Sequence, residues 1–93
     1  MFADELKEAW DLFEMGGSEV WRLILSVPDD LCKSDSGGTN VIRFSTRYDS
    51  VDIIMDWRVC CPGPNGYHDE VFVQARWDNG DKRSAKFLPN EFR

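Results

Sequence analysis

The clearest pattern of apolar and polar positions along the chain lies at residues 50–59 (SVDIIMDWRV). Every odd position from Val51 to Val59 is apolar, and the even positions are polar except for Ile54. A period of two predicts a strand with one face against a core and the other toward water. The rest of the chain is organised around this strand, and Ile54 is the one apolar side chain on its polar face.

Residues 2–15 have the period of an amphipathic helix. Large apolar side chains recur at spacings of four, four and three residues, at Phe2, Leu6, Trp10 and Phe13. Acidic residues fill the opposite side, and Asp4 is placed to cap the helix start. Gly16 and Gly17 are expected to end the helix, because glycine readily takes the left-handed conformation found at helix ends.

Residues 18–27 fit either a helix or a strand. As a helix, Glu19, Arg22 and Ser26 fall on one narrow polar arc. As a strand, the same arginine and serine would share a face with apolar residues. The contiguous polar arc favours the helix, with the strand as the alternative, and Pro28 ends the segment in both cases.

The remaining segments are predicted as one flexible loop and four strands. Residues 29–39 (DDLCKSDSGGT) are polar and rich in serine and glycine, which predicts a flexible loop. The strands are expected at residues 40–46, 51–59, 70–77 and 82–88. Residues 60–68, where proline and glycine alternate, are expected to connect the second and third of them.

Hydrophobic parity and charge predict how these strands pair. Setting Thr46 opposite Val51 joins apolar to apolar positions between the first two strands. The last two strands need a loop of odd length, so residues 78–80 are expected to form a three-residue turn with Gly80 at a bulge.

The pairing of the two middle strands follows from opposite charges. One register places Arg58 beside Glu70 and Asp52 beside Arg76, and both are favourable cross-strand pairs. The predicted fold is therefore an α+β two-layer domain. Two N-terminal helices, the second of which could be a strand, precede a four-stranded antiparallel meander, and residues 1–93 form one compact unit.

The acidic excess of the chain is concentrated in its N-terminal third. The formal net charge is −6, and residues 1–35 carry nine acidic and three basic side chains, which accounts for all of it. Such a charge opposes binding to phosphate backbones and suits a partner protein with a basic surface. A solvated acidic helix face that only aids solubility is the plainer explanation.

Cysteine and histidine do not form a known catalytic or metal-binding pattern. Cys32, Cys60 and Cys61 lack the spacing of a disulfide framework, which is typical of a reducing, cytoplasmic setting. Structural zinc sites separate their paired cysteines by two to four residues, and these two are adjacent. A Cys–His enzyme or metal protein using His68 is kept as an alternative. The expectation is no catalysis, no metal and no cofactor, and no apolar run has the length of a membrane helix.

The polar face of the predicted sheet carries the most unusual feature of the sequence. Ile54 and Phe72 stand there diagonally to each other, and Leu88 can flank them. Apolar side chains rimmed by charge are typical of an interface. The alternatives are that Phe92 of the C-terminal tail, or the segment at residues 18–27, covers them.

These observations predict a small acidic intracellular protein that binds another protein. A stand-alone inhibitor or adaptor, of the kind encoded by phages or mobile elements and acting on a host defence or regulatory protein, fits the size and composition. The residues expected to bind the partner lie on the acidic helix and on the sheet: Asp4, Glu8, Asp11, Ile54, Phe72 and Arg76. A homodimer through the sheet face or an edge strand is compatible with the pattern. A nucleic-acid-binding sheet is the alternative, weakened by the acidic residues on the same face.

Overall fold

A computed structural model describes residues 1–13, 17–63 and 66–88, and the side chains of residues 59–68 lie outside that description. The described residues form two α-helices, a short 3₁₀ turn at Asp29–Leu31 and one antiparallel sheet of five strands in sequential order. The elements are α1 (Phe2–Asp11), α2 (Ser18–Leu25), β1 (Cys32–Gly38), β2 (Val41–Tyr48), β3 (Val51–Gly63), β4 (Gly66–Trp77) and β5 (Lys82–Phe87). The α+β class and the meander are confirmed, but the sheet has one strand more than predicted.

The additional strand is β1, which occupies most of the predicted loop at residues 29–39. It pairs with β2 along the edge of the sheet, and every residue after Cys32 is exposed. A strand without a buried face carries no hydrophobic alternation, so its side chains give no strand signal. Its backbone hydrogen bonds form because a tight turn with Asn40 at φ 61° leads the chain back.

Helix α1 is the predicted amphipathic helix, and Leu6, Ala9 and Trp10 are its buried residues. It ends at Asp11 rather than near residue 15, and residues 14–16 lie outside the description. Gly17 does not take the left-handed conformation expected of it, since its φ is −74°. It is needed for close packing instead, because a Cβ there would lie 2.6 Å from the ring of Phe13.

Segment 18–27 forms helix α2, which confirms the favoured prediction. Val20, Trp21, Leu23 and Ile24 are buried, whereas Glu19 and Arg22 are exposed and hydrogen-bonded to each other. The helix packs on the same side of the sheet as α1. Trp21 lies 5.3 Å from Phe87 and 6.2 Å from Trp57 between ring centroids.

One hydrophobic core joins the helices to the odd-numbered face of β3, β4 and β5. Trp10 meets Trp77 edge to face at 6.2 Å, and Phe13 meets Phe87 at 5.5 Å. Aromatic pairs in this geometry contribute about 0.5–1.5 kcal/mol beyond the apolar area they bury. The fully buried side chains at the centre are Leu6, Val20, Val51, Ile53, Val71, Val73 and Phe87.

The register predicted between the first two strands of the meander, β2 and β3 here, is wrong by two residues. Val51 pairs with Tyr48 rather than with Thr46. The connection is a two-residue turn, in which Asp49 and Ser50 have φ values of 47° and 65°. Positive φ at both positions is the requirement of a type I′ hairpin, which usually contains glycine or asparagine. The sequence Asp-Ser therefore does not predict this type of turn.

The other two predicted registers are confirmed. Arg58 lies opposite Glu70, and Asp52 lies opposite Arg76. Residues 78–80 form the three-residue turn between β4 and β5, closed by a 2.9 Å hydrogen bond from the Trp77 amide to the Asp81 carbonyl. Gly80 has the positive φ, 94°, that the turn needs.

Helix α1 is fixed to the sheet by polar contacts at its start as well as by the core. The Ala3 amide donates a 2.9 Å hydrogen bond to Oδ2 of Asp49, and the Ala3 carbonyl accepts one from Nε1 of Trp77. The predicted cap, Asp4, is therefore replaced by a carboxylate from the β2–β3 turn. Lys7 forms an ion pair with Asp81 in the β4–β5 turn.

Replacing Asp49 tests this long-range cap. Asp49→Ala removes the acceptor of the Ala3 amide and places a residue that disfavours positive φ in the turn. We expect it to lower the free energy of unfolding by about 1–2 kcal/mol, measured by urea denaturation. Asp49→Asn keeps an acceptor and tolerates positive φ, so it should lose less than half of that. Equal losses in both variants would show that the carboxylate does not cap α1 through this contact.

Candidate functional site

The side of the sheet that faces away from the helices is open to solvent, and we name it the open face. It is formed by the even-numbered residues of β3, β4 and β5 and the odd-numbered residues of β1 and β2, as the register requires. Its members in the described part of the chain are Lys33, Asp35, Val41, Arg43, Ser45, Arg47, Asp52, Ile54, Asp56, Arg58, Glu70, Phe72, Gln74, Arg76, Lys82, Ser84 and Lys86. Both helices pack against the other side, so neither covers this face.

Ile54 and Phe72 are partly exposed at the centre of the open face. Their side chains are 37% and 42% exposed. Ile54 pairs with Gln74 and Asp56 pairs with Phe72, which makes the two apolar residues diagonal neighbours as predicted. Cover by segment 18–27 is excluded, because α2 lies on the opposite side. The tail residue Phe92, proposed as the other cover, lies outside the described residues, and Leu88 is half-buried just after β5.

Two arginines of β2 are occupied by carboxylates on this face. Arg43 holds Asp56 with two hydrogen bonds of 2.7 and 3.0 Å. Arg47 lies between Asp52, at 3.1 Å, and Asp78, at 2.8 Å. Planar guanidinium–carboxylate pairs of this kind fix side-chain direction as well as charge. The sequence-based register missed both pairs because it placed β2 two residues away.

The open face has an excess of positive charge although the whole chain is acidic. Seven basic and four acidic residues belong to its strands, and Asp78 in the β4–β5 turn adds a fifth carboxylate by bonding Arg47, which gives +2 against −6 for the chain. Arg76 is exposed and has no ion-pair partner among the described residues, and the same holds for Lys33 and Lys82. Although Asp52 lies opposite Arg76 as predicted, its ion pair is with Arg47.

A shallow depression of about 950 Å³ crosses one half of the open face. Ile54 lies in it together with the polar side chains of Ser45, Gln74 and Ser84. Lys33 on β1 and Lys82 on β5 stand at its two ends. The depression therefore combines an apolar centre, neutral hydrogen-bonding groups and a positive border, and the Asp52 carboxylate, bonded to Arg47, also lines it.

The acidic residues predicted on α1 belong to the opposite layer of the domain. Asp4, Glu8 and Asp11 are all exposed, and they line a small groove beside Leu12, which is 54% exposed. Asp11 is also held by Arg83 at 3.1 Å. The two predicted partner-binding sets, on α1 and on the sheet, therefore lie on different sides of the molecule and do not form one site.

The cysteine and histidine residues considered for metal or nucleophilic chemistry are only partly described. The backbone register places Cys61 opposite His68 in the outer part of the β3–β4 hairpin, and their side chains lie outside the description. Cys32 is half-buried and its thiol contacts the Pro28 carbonyl at 3.8 Å. The described residues contain no cluster of three potential metal ligands.

The Arg43–Asp56 pair makes stability depend on pH. The hydrogen bonds from Arg43 hold the pKa of the Asp56 carboxyl below its ordinary value of 3.8. A carboxyl whose pKa is lowered by folding stabilises the fold above its unfolded-state pKa, and this contribution is lost as the pH falls through the lowered value.

Asp56→Asn should therefore lower the free energy of unfolding by less than about 1 kcal/mol near pH 7, since the pair is half exposed to solvent. The difference from wild type should shrink toward zero as acid protonates the wild-type carboxyl, followed by urea denaturation at several pH values. Asp35→Asn is the matched control, because Asp35 faces Arg43 from the other strand and forms no ion pair within the described part of the chain. The same pH-dependent loss in the control would contradict the assignment to Asp56.

Comparison of the chain with protein-family models, curated proteins and solved structures finds no match. No helix among the described residues is long and apolar enough to cross a membrane. The arrangement of the open face itself therefore carries the functional argument.

Proposed function

We propose that the protein is a protein-binding module whose contact surface is the open face, centred on Ile54 and Phe72. The observation that supports this is the pair of large apolar side chains, 37% and 42% exposed, on a face that no described element covers. Fully burying such a side chain is worth about 1.5–3 kcal/mol, so a partner gains from completing the burial. An apolar centre within a polar, charged border is the usual anatomy of a protein interface.

The dimensions of the open face suit a small interface. Five strands about 4.8 Å apart span about 19 Å from β1 to β5, and six or seven residues of strand span about 20 Å in the other direction. With side-chain relief, a surface of about 20 by 20 Å approaches the lower end of specific protein contacts. A module that contributes only such a surface acts as an inhibitor or adaptor, because occupying the partner is its whole effect.

Nucleic-acid binding is the second candidate, and the positive excess of the open face favours it. Phe72 offers one exposed ring on which a base can stack. Against it, Asp56 and Asp52 are bonded to Arg43 and Arg47, which removes two of the cations that a phosphate backbone following the sheet would contact. Phe72 alone offers an exposed ring on this face among the described residues, so a protein, which can bury Ile54 as well, is favoured over a nucleic acid as the partner.

The test compares two exposed isoleucines on opposite sides of the same sheet. Ile54→Asp places a charge at the centre of the open face, whereas Ile42→Asp does so on the helix side, where Ile42 is 45% exposed. We expect Ile54→Asp to weaken binding to the captured partner at least tenfold, about 1.4 kcal/mol. Ile42→Asp should change binding less than twofold.

The partner is first captured from the organism's own lysate by the wild-type chain, and affinities of the purified complex are then measured by calorimetry. Urea denaturation of each variant establishes that both remain folded. Loss of binding in Ile42→Asp with retention in Ile54→Asp would move the interface to the helix side and overturn the proposal. Binding that both variants retain would also overturn it.

A further inference from the structure

The charge pattern of the open face indicates what kind of surface it contacts. We infer that the open face takes an acidic protein segment, which lies across the strands over the depression between Lys33 and Lys82. This inference rests on the proposed function and specifies the chemistry of the partner. It differs from the expectation of a basic partner, which came from the net charge of the whole chain.

Two basic side chains on neighbouring strands stand directly opposite each other here. Arg76 on β4 pairs in register with Lys82 on β5, and both are exposed. Like charges in directly opposed positions destabilise an antiparallel pair. Within the described residues neither forms an ion pair, and the Asp52 carboxylate opposite Arg76 offsets only part of the repulsion, so solvent or an incoming anion relieves the rest.

The neighbouring carboxylates on this face offset only part of their charge. Asp52 lies opposite Arg76, but both of its oxygens accept hydrogen bonds from Arg47 at 3.1 Å. The second terminal nitrogen of Arg47 donates hydrogen bonds to Asp78. One guanidinium thus serves two carboxylates, and the remaining negative charge offsets part of the charge of Arg76 and Lys82. Neither of these two side chains is bonded to a carboxylate among the described residues, so both remain available to a ligand.

The apolar and hydroxyl groups beside these cations favour a protein segment over a phosphate chain. Ile54 lies in the depression, so an apolar side chain of the partner can be buried there. Ser45 and Ser84 flank it with hydroxyls that bond carboxylates or peptide groups equally well. A nucleic acid would use the cations and leave the isoleucine without a matching contact.

The width of the sheet sets the length of the segment. Lys33 and Lys82 lie on strands β1 and β5, four strand spacings apart, which is about 19 Å. An extended chain covers this distance with about six residues, and a helix needs about thirteen. A six-residue segment with acidic residues at both ends and one apolar residue between them matches the order of groups across the face.

The test uses a labelled six-residue peptide, Glu-Glu-Leu-Glu-Glu-Glu, and the wild-type chain in fluorescence anisotropy at low salt. A peptide with glutamine at every glutamate position and a single-stranded oligonucleotide with a matching number of charges serve as comparison probes. Two double variants remove the same charge from the same face. Arg76→Gln with Lys82→Gln alters the proposed site, and Arg58→Gln with Lys86→Gln alters the far end.

Relative to its affinity for the wild-type chain, the glutamate peptide should bind the Arg76/Lys82 variant at least fivefold more weakly. It should bind the Arg58/Lys86 variant less than twofold more weakly. Added salt should weaken it, and the glutamine peptide should not bind. The Arg76/Lys82 variant should be about as stable as wild type, because removing the repulsion between Arg76 and Lys82 offsets the loss of the attraction between Arg76 and Asp52. The inference would be overturned if the two variants lost equal affinity for the glutamate peptide. It would also be overturned if this peptide did not bind at a millimolar concentration of the protein, or if the oligonucleotide bound more tightly than the peptide.

The captured partner separates this inference from the proposed function. If binding of the captured partner depends on Ile54 but not on Arg76 and Lys82, the open face is an interface, and the inference that it takes an acidic segment is wrong. If its binding depends on none of the three, both proposals fail. A second copy of the chain, presenting Asp4, Glu8 and Asp11, would instead appear as a concentration-dependent increase in mass by sedimentation, and that result would also overturn the inference.

Discussion

The contact between the two helices and one face of the sheet is the interaction on which the rest of the structure depends. Phe87 is central to it, since its ring contacts Phe13, which follows α1, and Trp21 within α2. A domain of this length has room for a single core. Both helices pack on this one face, and this leaves the second face of the sheet without a cover among the described residues.

An uncovered sheet face needs polar groups that are compatible with one another, and most of this face meets that need. Arg43 and Arg47 form ion pairs with the carboxylates beside them, and these charged pairs keep the face solvated. Ile54 and Phe72 depart from this pattern because they are apolar, and Arg76 with Lys82 departs because like charges meet. Neither departure improves the isolated fold. Features that cost stability locally are commonly found at functional surfaces, and this is the physical basis for placing the interface here.

The Asp49–Ser50 turn connects the two layers. Its positive φ values set the register of β2, and that register brings both arginines beside their aspartates. The same Asp49 carboxylate accepts the amide of Ala3 and so fixes the start of α1. One short turn therefore determines the charge pattern of the open face and the position of a helix on the other side.

The predictable part of the fold is the part whose side chains are divided between core and water. The alternation at residues 51–59 and 70–77 identified β3 and β4, and the charges of Arg58, Glu70, Asp52 and Arg76 gave their register. The 3.6-residue period identified both helices. Strand β1 was missed because its stability comes from backbone pairing with β2, which side-chain patterns do not record.

The candidate site, like the fold, was predictable from the sequence only in part. The sequence alone determined that Ile54 and Phe72 share the polar face as diagonal neighbours, because parity and register are local properties of paired strands. Three facts required the tertiary structure: α2 lies on the other side, Asp52 is bound by Arg47, and Arg76 faces Lys82 with no ion pair among the described residues. These facts depend on which layer a helix packs against and on a turn with positive φ, and both are set by contacts between residues distant in the chain.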